Sequence, residues 1–401
     1  MKKIYFLIFL IYLIVSIYFL RKQISLEYEW MVIMKDFSNY GWEYRLYGKY
    51  TAYMPPFYSY FLLISSKIFG SNWLEIVCFI QGLVIFFSLF SLFKTLFKEK
   101  ITSIIVIAGF CSILFFPPLL IGIYKVSSFA FSLSSMLLFF SVIYRISVSK
   151  SISNKQWLSI VLICTISLYL RYEFIFIIIL SVIAFYISKR ISLKNAISFL
   201  LVASLIYLPW CIRNYYKIGT FAYSTSFNFN FAKGYSEKYD PYITFNNPYS
   251  SKLKLTLSNT TLSKMFTNEK DMNEYLHNLN MEFVENNPKL FVKQTVIKFL
   301  INLTQYFPGY EGLNRNKVYL FYSLYSIFIQ ILLIISLKKL YLQNKRSFLV
   351  YITGGLYLFS LFFYVIAPLP RYMLLYYPIF IAVILKANYG KLQIGKYLQN
   401  T

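Results

Sequence analysis

Three acids, Glu27, Glu29 and Asp36, fall within one stretch of ten residues near the start of this sequence. Glu29 and Asp36 are seven positions apart, so a helix there carries them on one face. At a membrane surface such a carboxylate can take a proton from an attacking hydroxyl or hold a divalent cation. Acids at a helix start also serve caps and dipoles without any chemistry. Three arginines supply the opposite charge: Arg171 in LYLRYEF, Arg213 in PWCIRNYYKIGTF and Arg371 in PLPRYMLLYYP. Guanidinium groups hold phosphate in bidentate fashion, so the three suit a lipid phosphate, although snorkelling to headgroups is the ordinary use of such residues. Acids and arginines together point to chemistry on a phosphate-linked lipid. His277 is the only histidine and lies in an amphipathic stretch where it reads as surface decoration, so histidine triads and multi-histidine metal sites have little support. No Walker loop or dinucleotide fingerprint is present. Cys78, Cys111, Cys164 and Cys211 all lie inside apolar runs, without metal-ligand spacing, and read as small core residues.

The elements that must position these residues are membrane helices. Of 401 residues, 58% are hydrophobic and 14% charged, and the mean hydropathy of +0.57 excludes both soluble domains and disorder. The net charge of +25 is spread in short clusters between apolar runs, so it reports membrane topology and not a nucleic-acid face. Runs long enough for spanning occur at 4–20, 74–93, 101–120, 124–144, 157–170, 172–187, 195–212, 318–337, 348–367 and 372–386. The first follows Lys2 and Lys3 and precedes Arg21–Lys22, the pattern of an uncleaved signal anchor.

Charge orients the runs. The leading residues and the connections 94–100, 145–156, 188–194, 338–346 and 386–401 carry 18 Lys/Arg against one acid, Glu99; segments 21–72 and 213–317 carry 19 against 12 acids. The first group is expected inside and the second outside. Parity between the start and 94–100 then allows only 4–20 and 74–93 to cross, so run 55–69, which opens with Pro55–Pro56, is expected as a juxtamembrane or re-entrant helix. An all-α protein of about ten crossings results. It divides into a membrane module at 1–212 containing the first external loop 21–72, a large external loop at 213–317, and closing spans at 318–401. Within the large loop, Pro241 and Pro248 punctuate a polar first half. Met272, Tyr275, Leu276, Leu279 and Phe283 predict an amphipathic helix; Pro288 interrupts it, and 290–303 resumes with Lys293 and Lys298. That stripe suits either the membrane interface or packing on neighbouring helices.

Several segments occur in a familiar order: the acidic first loop, MPPFYSYFLLISSKIFGSN, LYLRYEF, PWCIRNYYKIGTF, EYLHNLNMEFVENNPKLFVKQTVIKF and PLPRYMLLYYP. Together, from about residue 26 to 385, they resemble the GT-C membrane glycosyltransferases, in particular bacterial relatives of the dolichyl-phosphate-mannose protein mannosyltransferases and the lipid A aminoarabinose transferases. The resemblance implies inverting transfer of a sugar from a polyprenyl phosphate to an acceptor on the outer face, with an acid of the first loop as base. Many relatives begin that loop's helix with an adjacent Asp-Glu pair; this chain has Leu26–Glu27 there, and the variant spacing with a lone Glu falls on Glu29. The ranking as base is therefore Glu29, then Glu27, then Asp36. Arg371 matches an Arg-Tyr element before the last crossing, and Arg213–Asn214 the start of the large loop; both arginines are assigned to lipid phosphate, with Arg171 beside them. Tyr53, Tyr58 and Asn214 are placed along the acceptor or donor path.

The expected partners are a polyprenyl-phosphate-linked sugar, a cell-envelope acceptor (lipid, glycan or protein) and membrane lipids, with no nucleic acid. No cofactor is indicated beyond a divalent cation as an option. The location is a bacterial inner membrane with the site on the periplasmic or extracellular face. Other readings are a polymerase or ligase using diphosphate-linked glycans, a lipid or glycan transporter, and a structural assembly partner. A midplane almost free of ionisable residues disfavours transport.

Overall fold

The computed structural model describes residues 3–149, 153–189, 193–235, 264–304, 317–365 and 370–398. Among the described residues the chain is all-α apart from two short strand pairs. Helices α1 (Lys3–Gln23), α2 (Tyr28–Tyr40), α3 (Pro56–Phe69) and α4 (Trp73–Phe97) open it. Next come α5 (Ile104–Leu114), α6 (Pro117–Tyr124), α7 (Phe129–Val148), α8 (Asn154–Leu170), α9 (Phe174–Ile187) and α10 (Leu193–Ile218). The large segment contributes α11 (Ser226–Gly234), α12 (Glu269–Asn286) and α13 (Pro288–Thr304), and α14 (Lys317–Gln343), α15 (Phe348–Phe363), α16 (Pro370–Met373) and α17 (Tyr377–Leu398) close the chain.

Local chemistry sets many boundaries. Ser153 and Gln156 form a reciprocal capping box at the start of α8. Pro56 opens α3, where a missing N–H costs nothing, and α3 ends at Gly70 with φ 56°, a backbone angle that glycine tolerates. Pro117 and Pro118 cannot continue the preceding helix, and Phe116 before them is extended, so the run expected as one span at 101–120 is instead α5 and α6, bent by 47°.

Among the described residues, four helical stretches are long and apolar enough to cross a membrane: Pro56–Phe97, Phe129–Val148, Ile197–Ile218 and Ser323–Gln343. The bent α5–α6 pair makes five. Shorter apolar helices lie at Lys3–Tyr18, Phe174–Ile187, Phe348–Phe363 and Tyr377–Tyr389. Their outward faces carry large exposed apolar side chains, such as Ile14, Leu205, Phe321, Phe328 and Ile335. Only lipid covers such faces without penalty, which makes this an integral membrane protein.

Helix α4, about 37 Å long at 1.5 Å per residue, separates two chemically distinct ends. At its C-terminal end Tyr5 Oη donates to the Ile101 carbonyl (2.8 Å), Arg145 Nε to Thr95 (2.9 Å) and Lys386 Nζ to the Leu96 carbonyl (2.8 Å). At its N-terminal end lie the loop 24–55, Tyr58, Gln81 and the turn after α6.

Two strand pairs, neither anticipated from the sequence, organise that second end. β1 (Ser25–Leu26) pairs in parallel with β4 (Lys125–Val126). β2 (Arg45–Leu46) and β3 (Lys49–Tyr50) form a hairpin whose turn residues Tyr47 and Gly48 have φ of 55° and 77°, the left-handed pair that a two-residue hairpin turn requires. In the large segment the predicted stripe forms α12, with Leu276 fully buried against Phe229 and Ala232 of α11, so this helix packs on a neighbour. Pro241 and Pro248 lie outside the described residues.

Candidate functional site

The β1–β4 pairing places the head of α2. Glu27 continues the ladder, its backbone N–H donating to the Val126 carbonyl (3.3 Å), and then occupies the N-cap position. Glu29 follows in the first turn, where the helix dipole favours a negative charge. Both side chains are half-buried. Among the described residues, no hydrogen bond or ion pair engages the Glu29 carboxylate. One residue on, Trp30 is buried edge-on against Tyr58, with centroids 4.9 Å apart. The Tyr58 hydroxyl donates to Gln81 Oε1 (2.6 Å), and Gln81 Nε2 donates to the Ile123 carbonyl (2.7 Å). Tyr58, expected along the acceptor path, is fully buried, with its phenol turned into the bundle.

Asp36 is also buried, and its Oδ2 accepts the Gly48 N–H at 2.8 Å, beneath the hairpin turn. Arg45 completes this knot. It donates to Glu43 (2.8 Å) and to the Gly48 carbonyl (2.8 Å) and lies between the rings of Tyr40 and Tyr50. Asp36 is thus an internal partner of the hairpin, while Glu29 stands seven residues away at the half-buried head of the helix.

Thr51–Tyr53, the segment leading into α3, is held from several sides. Arg213 donates through Nη1 to the Thr51 carbonyl (2.8 Å) and to Asn214 Oδ1 (2.9 Å), and through Nη2 to the Tyr44 carbonyl (2.8 Å). Its guanidinium also faces the Trp210 ring at 4.8 Å. Asn214 is fully buried and donates to the Ala222 carbonyl (2.9 Å). Glu269 accepts the Ala52 N–H at 2.8 Å and the Thr225 hydroxyl. Tyr172 donates to the Ala52 carbonyl (2.6 Å). Tyr53 itself is half-buried, edge-on to Phe229 at 5.3 Å.

The third arginine lies beside this segment, one residue before Tyr172. Arg171 forms an ion pair with Glu173, both side chains 14% exposed, and its guanidinium lies 4.6 Å over the Tyr372 ring. The Tyr364 hydroxyl donates to Glu173 Oε1 (3.4 Å) and contacts the Tyr376 hydroxyl (3.3 Å). Arg371 is in α16 next to Tyr372; its side chain lies outside the described residues.

The structure therefore gathers Glu27, Glu29, Tyr53, Tyr58, Arg171, Arg213 and Asn214 at one end of the bundle. It does not pair any of the three candidate acids with Arg171 or Arg213. Each arginine instead has an internal acceptor: Glu173 for Arg171, backbone carbonyls for Arg213. Among the described residues no three His, Cys, Asp or Glu side chains converge to hold a metal ion.

Two buried charges were missed from the sequence. Glu269 is the first residue of α12, where an acid is ordinary, so nothing marked it out. Lys298, counted as part of an amphipathic stripe, is fully buried; it donates to the Gly234 carbonyl at the end of α11 and lies 3.3 Å from the Tyr235 ring centre. Burial pushes its amine down to about 6. The only available signal was its position one helical turn after Gln294, which is also buried.

Burial raises the Glu269 carboxyl above its ordinary 4.5, against the opposing hydrogen bonds from Thr225, Thr51 and Ala52 and the charge of Arg213. Burial raises Asp36 as well, against the Gly48 N–H and Arg45. A raised carboxyl favours the protonated folded state. Its stabilisation is complete below the unfolded value and disappears as pH rises through the folded one. The unfolding temperature in detergent should therefore fall as pH climbs from about 4.5 toward neutrality. Glu269→Gln should flatten that fall, and an unchanged slope would refute the assignment.

No family model matches the chain, and no curated protein matches it. Among solved structures, the crystal structure of ArnT from Cupriavidus metallidurans in the apo state is similar at a TM-score of 0.45 and 10% identity, covering 96% of this chain and 76% of that one. The structure of the same protein bound to undecaprenyl phosphate is similar at a TM-score of 0.42 and 11% identity, with the same coverage.

Proposed function

We propose that this protein is an inverting glycosyltransferase that moves a sugar from a polyprenyl phosphate to a cell-envelope acceptor. In this reading the chain crosses a bacterial inner membrane about ten times, with 21–72 and 213–317 outside. Glu29 is the base, taking the proton of the acceptor hydroxyl. The acceptor oxygen attacks the anomeric carbon as the bond to the phosphate oxygen breaks, and lipid phosphate departs. Arg171, Arg213 and Arg371 are the cations assigned to that phosphate, which for the first two competes with Glu173 and with the Thr51 and Tyr44 carbonyls. Phosphate leaves readily, so one base and cationic stabilisation suffice.

One observation carries the reading. The half-buried Glu29, without a hydrogen bond or ion pair among the described residues, sits at the end of the bundle where Arg213 and Tyr172, the residue after Arg171, hold segment 51–53. At the opposite end of α4 the cations Arg145 and Lys386 are each bound to that helix. Acid and arginine at one end of an apolar bundle suit a substrate with a lipid tail and a charged, sugar-bearing head.

Purified protein in lipid nanodiscs, offered a panel of polyprenyl-phosphate sugars with envelope lipid extract, should release polyprenyl phosphate from one donor in an acceptor-dependent way. Folded protein that releases none with every donor and acceptor extract would overturn the reading.

A further inference from the structure

The Thr51–Ala52 peptide unit is bound at both poles. Its carbonyl oxygen, the negative end, receives the Arg213 guanidinium at 2.8 Å, and its N–H, the positive end, donates to the Glu269 carboxylate at 2.8 Å. The next peptide is held as closely, with the Ala52 carbonyl accepting the Tyr172 hydroxyl at 2.6 Å and the Thr225 N–H at 3.4 Å. Thr51 Oγ1 then accepts the Tyr53 N–H at 3.0 Å. Thr51 and Ala52 are 1% and 0% exposed, so water cannot replace these partners. A buried backbone N–H without an acceptor costs the full desolvation of the group. The acceptor for Ala52 comes from the first turn of α12, 217 residues along the chain.

We infer that Glu269 is a positioning residue: it ties the large segment to the first loop and sets where Tyr53 and the Pro55–Pro56 entry to α3 stand. For activity, this rests on the transferase reading. Tyr53 touches Phe229 of α11, and Thr225 just before α11 shares the Glu269 carboxylate, so α11, α12 and the first loop meet at this one group. Movement of α12 is thereby transmitted to Tyr53 without any contact between Glu269 and substrate.

The test is hydrogen exchange on the full chain in nanodiscs. Glu269→Ala should speed exchange of the Ala52 and Tyr53 amides about tenfold or more while the amides of α4 keep their wild-type rates. Glu269→Gln, which keeps an acceptor for Ala52, should restore protection. Thr225→Val provides a milder break if Glu269→Ala does not fold. Wild-type exchange at Ala52 in both Glu269→Ala and Thr225→Val, or equal loosening of α4, would overturn the inference. In the release assay Glu269→Ala should raise KM for the acceptor more than it lowers kcat. If wild type releases nothing with any donor, the transferase reading fails while the exchange result still decides the role of Glu269.

Discussion

Glu29→Gln should lower release of polyprenyl phosphate by about 100-fold or more, the range that a general base supplies. Such a loss could not be blamed on folding. The Glu29 carboxylate makes no hydrogen bond or ion pair among the described residues, and the carboxamide has the same shape. Its effect on stability should stay within about 0.5 kcal/mol, as for other substitutions without a structural partner. Asp36→Asn provides the contrast, because that side chain accepts the Gly48 N–H from a buried position, and it should act on stability before turnover. Comparing release rates with unfolding temperatures across Glu27→Gln, Glu29→Gln and Asp36→Asn separates the cases. Wild-type release by Glu29→Gln with an inactive Glu27→Gln would move the base to Glu27.

The second large effect concerns the ion pair between Arg171 and Glu173, whose side chains are both 14% exposed. Arg171→Ala leaves the Glu173 carboxylate with the Tyr364 hydroxyl as its remaining partner. Glu173→Gln leaves the guanidinium over the Tyr372 ring without its counter-charge. Removing one member of a fully buried pair costs about 3–5 kcal/mol, whereas apolar replacement of both is often neutral; this pair is partly buried, so each single change should cost less than that. Unfolding in detergent should show each single change destabilising and the combined Arg171→Met, Glu173→Leu change much milder. Additive losses in the double variant would mean that the two side chains do not act as a pair. The same pair bears on the proposed chemistry, since a lipid phosphate binding Arg171 would compete with a carboxylate already in place.

The all-α class was legible because apolar runs of spanning length leave few alternatives, and most helices begin within a few residues of those runs. Where the reading departs from the structure, the cause is a long-range contact or a backbone restriction. The 101–120 run is apolar on both sides of Pro117–Pro118, which obscured the break that the two prolines impose after Phe115. The spacing of Glu29 and Asp36 correctly allows a shared helix face. It could not show that Asp36 meets Gly48 across a hairpin, since Tyr47 and Gly48 carry no strong turn signature. Arg213 was recognisable as a cation at a helix end. Its acceptors, the Tyr44 and Thr51 carbonyls, are backbone groups 169 and 162 residues away, which residue types alone do not reveal. Glu269 and Lys298 looked like ordinary surface charges because burial there is created by α11 packing on α12 and α13.

The parallel pairing of Ser25–Leu26 with Lys125–Val126 also carries a consequence for biosynthesis. At ordinary translation rates the second strand leaves the ribosome roughly 5–20 s after the first. During that interval the head of α2, with Glu27 and Glu29, has no ladder to join. Its placement must wait until α4, α5 and α6 are in the membrane and the turn after Tyr124 returns to the same surface. A nascent chain arrested near residue 115 should therefore leave the α2 head open to protease, and one arrested well beyond residue 130 should protect it.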